Sequence, residues 1–290
     1  MLFVSKNIRP YVEAVDGFHD GLQRAASSDP AVDTDVEVIM LDRYTDASLA
    51  DLARRMASRT EGRTAIHLAV AVGPEAAAFV WETFPESDIA KLYFLILNPE
   101  KVIPDAPPAT GISLNIPPAE QLRLINQSLS LVTRVGVFYD PVHNADFFAA
   151  ASAATLELNV ELVPLAVGSK KDIPFLLEEC WDTIDCVWLI PDRTVISESI
   201  AQYIIKQAVL KKVPVVGYNR FFYDSGAAAA FVFDYANLGR QAAGLAVDVL
   251  QGRAGGTVSP VFHVWLNASV FQKMGIPLPD PVELPLKVGP

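Results

Sequence analysis

Apolar residues in this chain fall into short, dense runs separated by longer stretches in which they recur at helical spacing. One series of runs lies at Leu2 to Ser5, Val36 to Met40, Ala65 to Val72, Leu92 to Leu97 and Thr110 to Leu114. A second lies at Arg134 to Tyr139, Val160 to Leu165, Cys186 to Ile190, Val213 to Tyr218 and Ala228 to Phe233. The runs are rich in Val, Ile, Leu and Phe with little strict alternation, the pattern of strands buried on both faces of a parallel sheet. Helical patterns fill the intervals: Ser48 to Ser58 with Asp46 as a possible cap, a segment opening at Pro74, Ala119 to Leu131 behind Pro118, and Tyr235 to Leu250. The last carries Leu238, Ala242, Leu245, Ala246 and Val249 on one face and stops at Gly252.

Strand starts recur at similar intervals in both series, and the final step is shortened each time. A βαβ rhythm given twice predicts an α/β protein of two doubly wound, Rossmann-like lobes with right-handed crossovers. The Pro-rich piece from Pro104 to Pro118, containing Pro107, Pro108 and Pro117, is the natural boundary region.

Composition narrows the function classes. With 290 residues and 51% apolar content the chain can bury a sizeable core, and its length suits about two domains. Its 34 acids against 23 bases give a net charge of -11, which repels phosphate backbones, so no nucleic-acid partner is expected. Two cysteines, Cys180 and Cys186, exclude a disulfide scaffold and a cysteine-rich metal site, and read as buried free thiols. No apolar run is long enough to span a membrane. Met1 to Lys6 lacks the pattern of a secretion signal and reads as the first core strand, so either the protein is cytoplasmic or a leader stands upstream of this stretch.

In open α/β sheets ligands collect outside the carboxyl ends of the strands, where loops diverge and helix N-termini offer unpaired amides. The residues there are Ser5-Lys6-Asn7, Asp42-Arg43, Gly73-Pro74-Glu75 and Asn98-Pro99-Glu100 in the first half. In the second half they are Tyr139-Asp140-Pro141, Pro191-Asp192-Arg193-Thr194, Tyr218-Asn219-Arg220-Phe221 and Asp234-Tyr235. The set is dense in Asp, Asn, Arg and Tyr, which suits a small polar or zwitterionic ligand, although turn chemistry selects many of the same residues.

Enzyme signatures are missing: there is no G-x-G-x-x-G after a strand, no phosphate-binding G-x-x-x-x-G-K-[ST] and no G-x-S-x-G elbow. His19, His67, His143 and His263 have no i, i+4 partner, so no metal site is predicted. His67, inside an apolar run, reads as a core residue, and His143 as a loop residue beside Asn144. Phe221, Phe222 and Tyr223, close behind Tyr218, cannot all enter one core, so one of them is expected to face a ligand or a partner.

The second half resembles the ABC transporter substrate-binding protein family, with its type I periplasmic binding fold. The resemblance rests on Arg134 to Pro141, on the loop Pro191-Asp192-Arg193-Thr194-Val195, on Val213-Pro214-Val215-Val216-Gly217 and on Asp234 to Ala242. It continues in Leu266-Asn267-Ala268 leading to Met274-Gly275-Ile276-Pro277. The first half fits more loosely, through Gly17-Phe18 to Gly21-Leu22 and through Asn98-Pro99, while Ser5 to Tyr11 departs from the common pattern.

That resemblance implies two lobes joined by a three-strand hinge, one of residues 1–115 with 235–258 and the other of 116–234 with 259–290. It implies a non-enzymatic, monomeric solute-binding protein without a cofactor, periplasmic or lipid-anchored outside the cytoplasm, which closes on a small molecule and delivers it to ABC permease subunits. An amino acid, with aromatic ones included, is the first ligand class the resemblance implies. Asp140, Asp192 and Asp234 are then candidates for an ammonium, Arg9 and Arg193 for a carboxylate, and Tyr11, Tyr139 and Tyr218 for stacking or hydroxyl contacts. Ser5, Gly73, Asn98, Asn144, Thr194 and Asn219 complete the expected ligand set. The alternatives are a sensory input module of the same fold, and a sugar or nucleotide-sugar enzyme on two Rossmann-like lobes.

Overall fold

The computed structural model of the protein describes every residue except 29–34, 60–64, 86–88, 104–108, 193–196, 254, 280–285 and 290. Pro104, Pro107 and Pro108 of the boundary region, and Arg193 and Thr194 of the expected ligand set, lie outside the described residues.

The chain forms two compact units. Unit 1 comprises Met1–Asn115 and Asp234–Val261; unit 2 comprises Ile116–Phe233 and Phe262–Pro290. The chain therefore passes from one unit to the other three times, after Asn115, Phe233 and Val261.

Unit 1 is built on strands β1 (Leu2–Val4), β2 (Val38–Met40), β3 (Leu68–Val72), β4 (Ala90–Ile96), β5 (Thr110–Ser113) and β11 (Thr257–Val258). They form a wholly parallel sheet in the order β11-β5-β4-β3-β1-β2. All of β1 and β3 is buried, as two-sided burial requires of strands flanked by helices. Near its end β4 carries a bulge between Phe94 and Ile96, where the buried Leu95 takes φ +60°. An extra residue of this kind bends a strand and re-aims the side chains beyond it.

Helices α1 (Arg9–Ser28), α2 (Asp46–Ala57), α3 (Pro74–Thr83) and α9 (Tyr235–Leu250) complete unit 1. The cap of α2 is Thr45, not Asp46: the Thr45 hydroxyl accepts from the Ser48 amide and the Ser48 hydroxyl accepts from the Thr45 amide, which leaves Asp46 in the first turn. Helices α1 and α9 pack backbone to backbone. A Cβ on Gly17 would lie 2.0 Å from the Ala236 carbonyl oxygen, and one on Gly239 would lie 1.9 Å from that of Ala14. His67 is exposed just before β3 and is not a core residue; the buried run begins after it, at Leu68.

Unit 2 repeats the scheme. Its strands β6 (Arg134–Tyr139), β7 (Glu161–Ala166), β8 (Cys186–Leu189), β9 (Val215–Gly217) and β10 (Ala229–Phe233) run parallel. To these β12 (Phe262–Asn267) adds antiparallel to β10, and β13 (Leu286–Gly289) adds parallel to β12. The order β13-β12-β10-β9-β8-β6-β7 places the two sheets' first five strands in the same 2-1-3-4-5 arrangement. The partly exposed β7 lies at the edge and holds Pro164, which has no amide to give a further strand.

Helices α4 (Pro118–Ser128), α5 (Ala145–Ala154) and α10 (Ala268–Met274) belong to one buried cluster of unit 2, centred on Trp188 and Phe231. Helices α6 (Ile173–Cys180) and α7 (Glu198–Lys211) belong to a second, with Val187 and Leu189. The short α8 (Arg220–Asp224) parts the three aromatics: Phe222 enters the second cluster, Tyr223 joins Ala230, Val232 and Trp265, and Phe221 is half-buried against Phe222. Cys180 and Cys186 are free, buried thiols, and burial raises the pKa of both.

Candidate functional site

A sheet ordered 2-1-3-4-5 has its topological switch point between its first and third strands, and the carboxyl ends there face a crevice between loops. In unit 1 those ends belong to β1 and β3, in unit 2 to β6 and β8.

In unit 1 the end of β1 is held by Ser5, which is 3% exposed; its amide donates to the Val72 carbonyl and its hydroxyl accepts from the Ala76 amide at 2.8 Å, satisfying one of the unpaired donors that open α3. Gly73 takes φ +89° between β3 and α3. A Cβ there would lie 2.7 Å from both the Ser5 Oγ and the Tyr11 phenol oxygen, so glycine is needed for conformation and for space. Burial, with help from Glu75 and Tyr235, pushes the Tyr11 phenol up to about 12. Lys6 pairs with Glu75. Burial alone would raise the Glu75 carboxyl, but the Lys6 hydrogen bond, with backbone and Ser5 contacts, holds it below its usual value.

The remaining expected residues of unit 1 are more scattered. Arg9 stands exposed on the first turn of α1 and bonds Glu13 at 2.6 Å. Asn98, in the left-handed region at φ 55°, donates its amide to the Asn115 Oδ1 at 3.2 Å, beside the first passage between units. Asp234 opens unit 1's second segment and caps α9, accepting from the Asn237 amide at 2.9 Å. Asp42, at the end of β2, accepts the Asn7 amide at 2.7 Å.

Unit 2 gathers its residues more tightly. Asp192, 1% exposed, follows β8 and accepts the Asp140 amide at 2.6 Å. The carboxylate ties the end of β8 to the end of β6, and the next described helix, α7, begins at Glu198. Asp140 in turn accepts from the Val142 amide at 2.8 Å and is bonded to the His143 ring nitrogen at 2.7 Å. The His143 hydrogen bond, followed by that of Val142, lowers the Asp140 carboxyl.

Asn144 leads into α5 and donates its side-chain amide to the Pro191 carbonyl at 3.1 Å, a second tie between the two turns. Tyr139 stacks on Phe148 with ring centres 4.5 Å apart and planes 9° from parallel. Tyr218 leans on Phe222, and burial, then the charge of Asp192, pushes its phenol up to about 12. Beside it the Asn219 Oδ1 is enclosed without a hydrogen-bond partner among the described residues.

The structure thus brings together Ser5, Tyr11 and Gly73 in unit 1, and Tyr139, Asp140, Asn144, Asp192, Tyr218 and Asn219 in unit 2. It adds Lys6, Glu75, Tyr235 and Phe148, of which only Phe148 has no place among the strand-end residues. A cavity of about 790 Å³ in unit 1 lies at the opposite, amino end of β1 and β3, lined by Phe18, Leu22, His67 and Leu250 among others, and includes none of the expected ligand residues. Among the described residues no cluster of three or more His, Cys, Asp or Glu is placed to hold a metal, and no helix is long and apolar enough to cross a membrane.

Residues 103–285 match the family of ABC transporter substrate binding proteins. No curated protein matches the sequence. Among solved structures, a ligand-free, open substrate-binding protein with adhesive properties from Clostridium difficile is 16% identical, with 99% of this chain and 97% of that one covered and a TM-score of 0.80. An ABC domain from Streptococcus pneumonia in complex with L-Trp is 19% identical over 99% of both chains, TM-score 0.60. A Bradyrhizobium ABC transporter solute-binding protein holding bis-tris is 18% identical, covering 98% of this chain and 87% of that one, TM-score 0.57. At these identities the structural likenesses establish the fold: two parallel-sheet α/β lobes of the periplasmic binding type.

Proposed function

This chain belongs to the ABC transporter substrate-binding protein family, and on that premise we propose that it captures a small molecule outside the cytoplasm and delivers it to an ABC permease, without chemistry of its own. The observation that carries this reading is that each unit independently places a polar and aromatic cluster at its sheet's switch point: Ser5, Tyr11 and Gly73 in one, and Tyr139, Asp140 and Asp192 in the other, with Tyr218 beside them at the end of β9. Ligand selection of one conformation among those the two units can take is the physical means of signalling capture to a permease. Aromatic amino acids are the first class to examine, because the similar Streptococcus domain holds L-Trp.

Native mass spectrometry of protein purified under mild conditions tests capture. A retained small molecule, lost when Tyr11→Ala and Tyr139→Ala are combined, is the expected result. Absence of any retained or rebinding molecule from an extract of the natural growth medium would count against the proposal.

A further inference from the structure

We propose that Gln241 is a positioning residue that couples the second and third passages between the units, so that the chain offers two connectors in place of three independent ones. Its bearing on function rests on the capture reading above, in which a ligand selects among conformations of the two units. The second passage follows Phe233 and the third follows Val261. On the unit 2 side they are neighbours: Phe233 and Phe262 are antiparallel partners at the end of the β10–β12 ladder, with ring centres 6.4 Å apart. On the unit 1 side the chain takes two different forms, since Asp234 caps α9 while Ser259 to Val261 run on from β11 outside any strand. Gln241, in the second turn of α9, bridges them. Its side-chain amide donates to the Ser259 carbonyl at 2.9 Å, and its Oε1 accepts from the Val261 amide at 3.3 Å. A primary amide carries both a donor and an acceptor, so this side chain stands in for a neighbouring strand on either side of Pro260, which has no amide to give. The Asp234 cap, accepting from the Asn237 amide at 2.9 Å, fixes the start of the same helix, so both crossings are fastened to one rod.

The first passage is held separately. The Asn115 Oδ1 accepts from the Asn98 amide at 3.2 Å, and the Ile116 carbonyl accepts from the buried Gln121 side chain at 2.8 Å, each tie lying within its own unit. Strands β5 and β11 do pair, but their ladder stops at Ile112 and Val258, short of both passages. Beyond it Leu114 turns to β4, donating its amide to the Ile96 carbonyl at 2.8 Å. The second and third passages are therefore joined on both sides of the crossing, and the first is tied only to its own surroundings. Two attachment points define one axis, so the coupled pair confines hinge motion to a bend about that axis. Without Gln241 the two strands of the pair are free to part on the unit 1 side, which adds further directions of motion.

Two measurements on the whole chain, with no ligand added, test the coupling. Hydrogen exchange resolved to single amides reads the Val261 bond. Spin labels on Ala50→Cys and Lys206→Cys, exposed positions on α2 and α7, read the spread of distances between the units; Cys180 and Cys186 are buried, which leaves the introduced thiols as the reactive ones. Gln241→Met keeps the length of the side chain and removes its amide. It should speed Val261 exchange several-fold, up to about tenfold, and widen the distance distribution. Val80→Ala, which opens a hole in the core of unit 1 away from the passages, should leave the width unchanged. Gln241→Glu keeps the acceptor and loses the donor, so Val261 should stay slow and the distribution widen less. Fast Val261 exchange with an unchanged width in Gln241→Met would reduce the residue to a local clip and overturn the coupling. Unchanged exchange in that variant, or equal widening in Val80→Ala, would overturn it as well. If Gln241→Met does not fold, Gln241→Glu carries the test, and a width equal to wild type is then the overturning result. None of these outcomes bears on capture, which the mass-spectrometric test decides alone, and a failure there leaves these measurements standing.

Discussion

The Asp192 carboxylate and the Asp140 amide meet at 2.6 Å in a place where Asp192 is almost wholly out of solvent. A carboxylate so placed is a structural fastener between neighbouring turns, and its loss leaves a donor to find a new partner. Asp192→Ala is expected to cost about 2 kcal/mol of unfolding free energy, in line with other hydrogen bonds to a charged group. Asp192→Asn, which keeps an acceptor, should cost distinctly less. Urea denaturation of both variants decides, and an alanine variant as stable as wild type would remove the fastening role.

The packing of α1 on α9 gives a matched pair of glycine substitutions. Gly239→Ala drives its Cβ to 1.9 Å from the Ala14 carbonyl oxygen and should destabilise by about 1–3 kcal/mol, as overpacked cores do. Gly244→Ala, further along the same helix with nothing within 4 Å of the added atom, should stabilise by up to about 1 kcal/mol. Opposite signs in chemical denaturation are the expected result.

Arg134 bonds the Asp185 carboxylate at 2.7 Å, and with Thr133 holds its pKa at about 2, below the usual 3.8. The charged form is favoured by folding, so the stabilisation is complete above the unfolded value and is lost as pH falls from about 4 towards 2. Unfolding free energy measured across that window should fall less steeply in Asp185→Asn than in wild type. Parallel curves would show that the pair contributes nothing.

For Tyr11 and Tyr218 the sign is reversed. Both phenols titrate at about 12 instead of 10, so folding favours the neutral form; that contribution is intact below pH 10 and disappears as pH rises towards 12. Ultraviolet titration of phenolate should show the delayed fraction shrink by one tyrosine in Tyr218→Phe and by another in Tyr11→Phe. A Tyr218→Phe curve superimposable on wild type would contradict its burial beside Asp192.

Much of this architecture is legible in the sequence because two-sided burial leaves an unbroken apolar signature: β6 spans Arg134–Tyr139, as the pattern predicts, and every other expected run holds a strand. The strands without such a signature, β11, β12 and β13, are short or half-exposed; in Phe262–Asn267 the pattern mixes His263 and Asn267 with apolar residues, as an antiparallel strand beyond the parallel core tolerates. The strand-end rule locates Ser5, Gly73, Asp140 and Asp192, but it does not assign what each carboxylate touches. Asp192 and Asp140 are joined only through the pairing of β6 with β8, which sequence spacing does not reveal. His67 reads wrongly as core because it stands at the rim of an apolar run, where periodicity does not distinguish the last loop residue from the first strand residue.

The three passages between units bear on how the molecule is made. Helix α1 leaves the ribosome well before α9, which comes after all of β6 to β10, yet its glycine-lined face closes on α9. Unit 1 therefore cannot finish during synthesis until most of the chain has emerged, whereas the strands of unit 2 up to β10 come out as one uninterrupted stretch. Closing so distant a contact carries a loop entropy that local contacts do not. Until α9 arrives, the glycine-lined face of α1 stays uncovered.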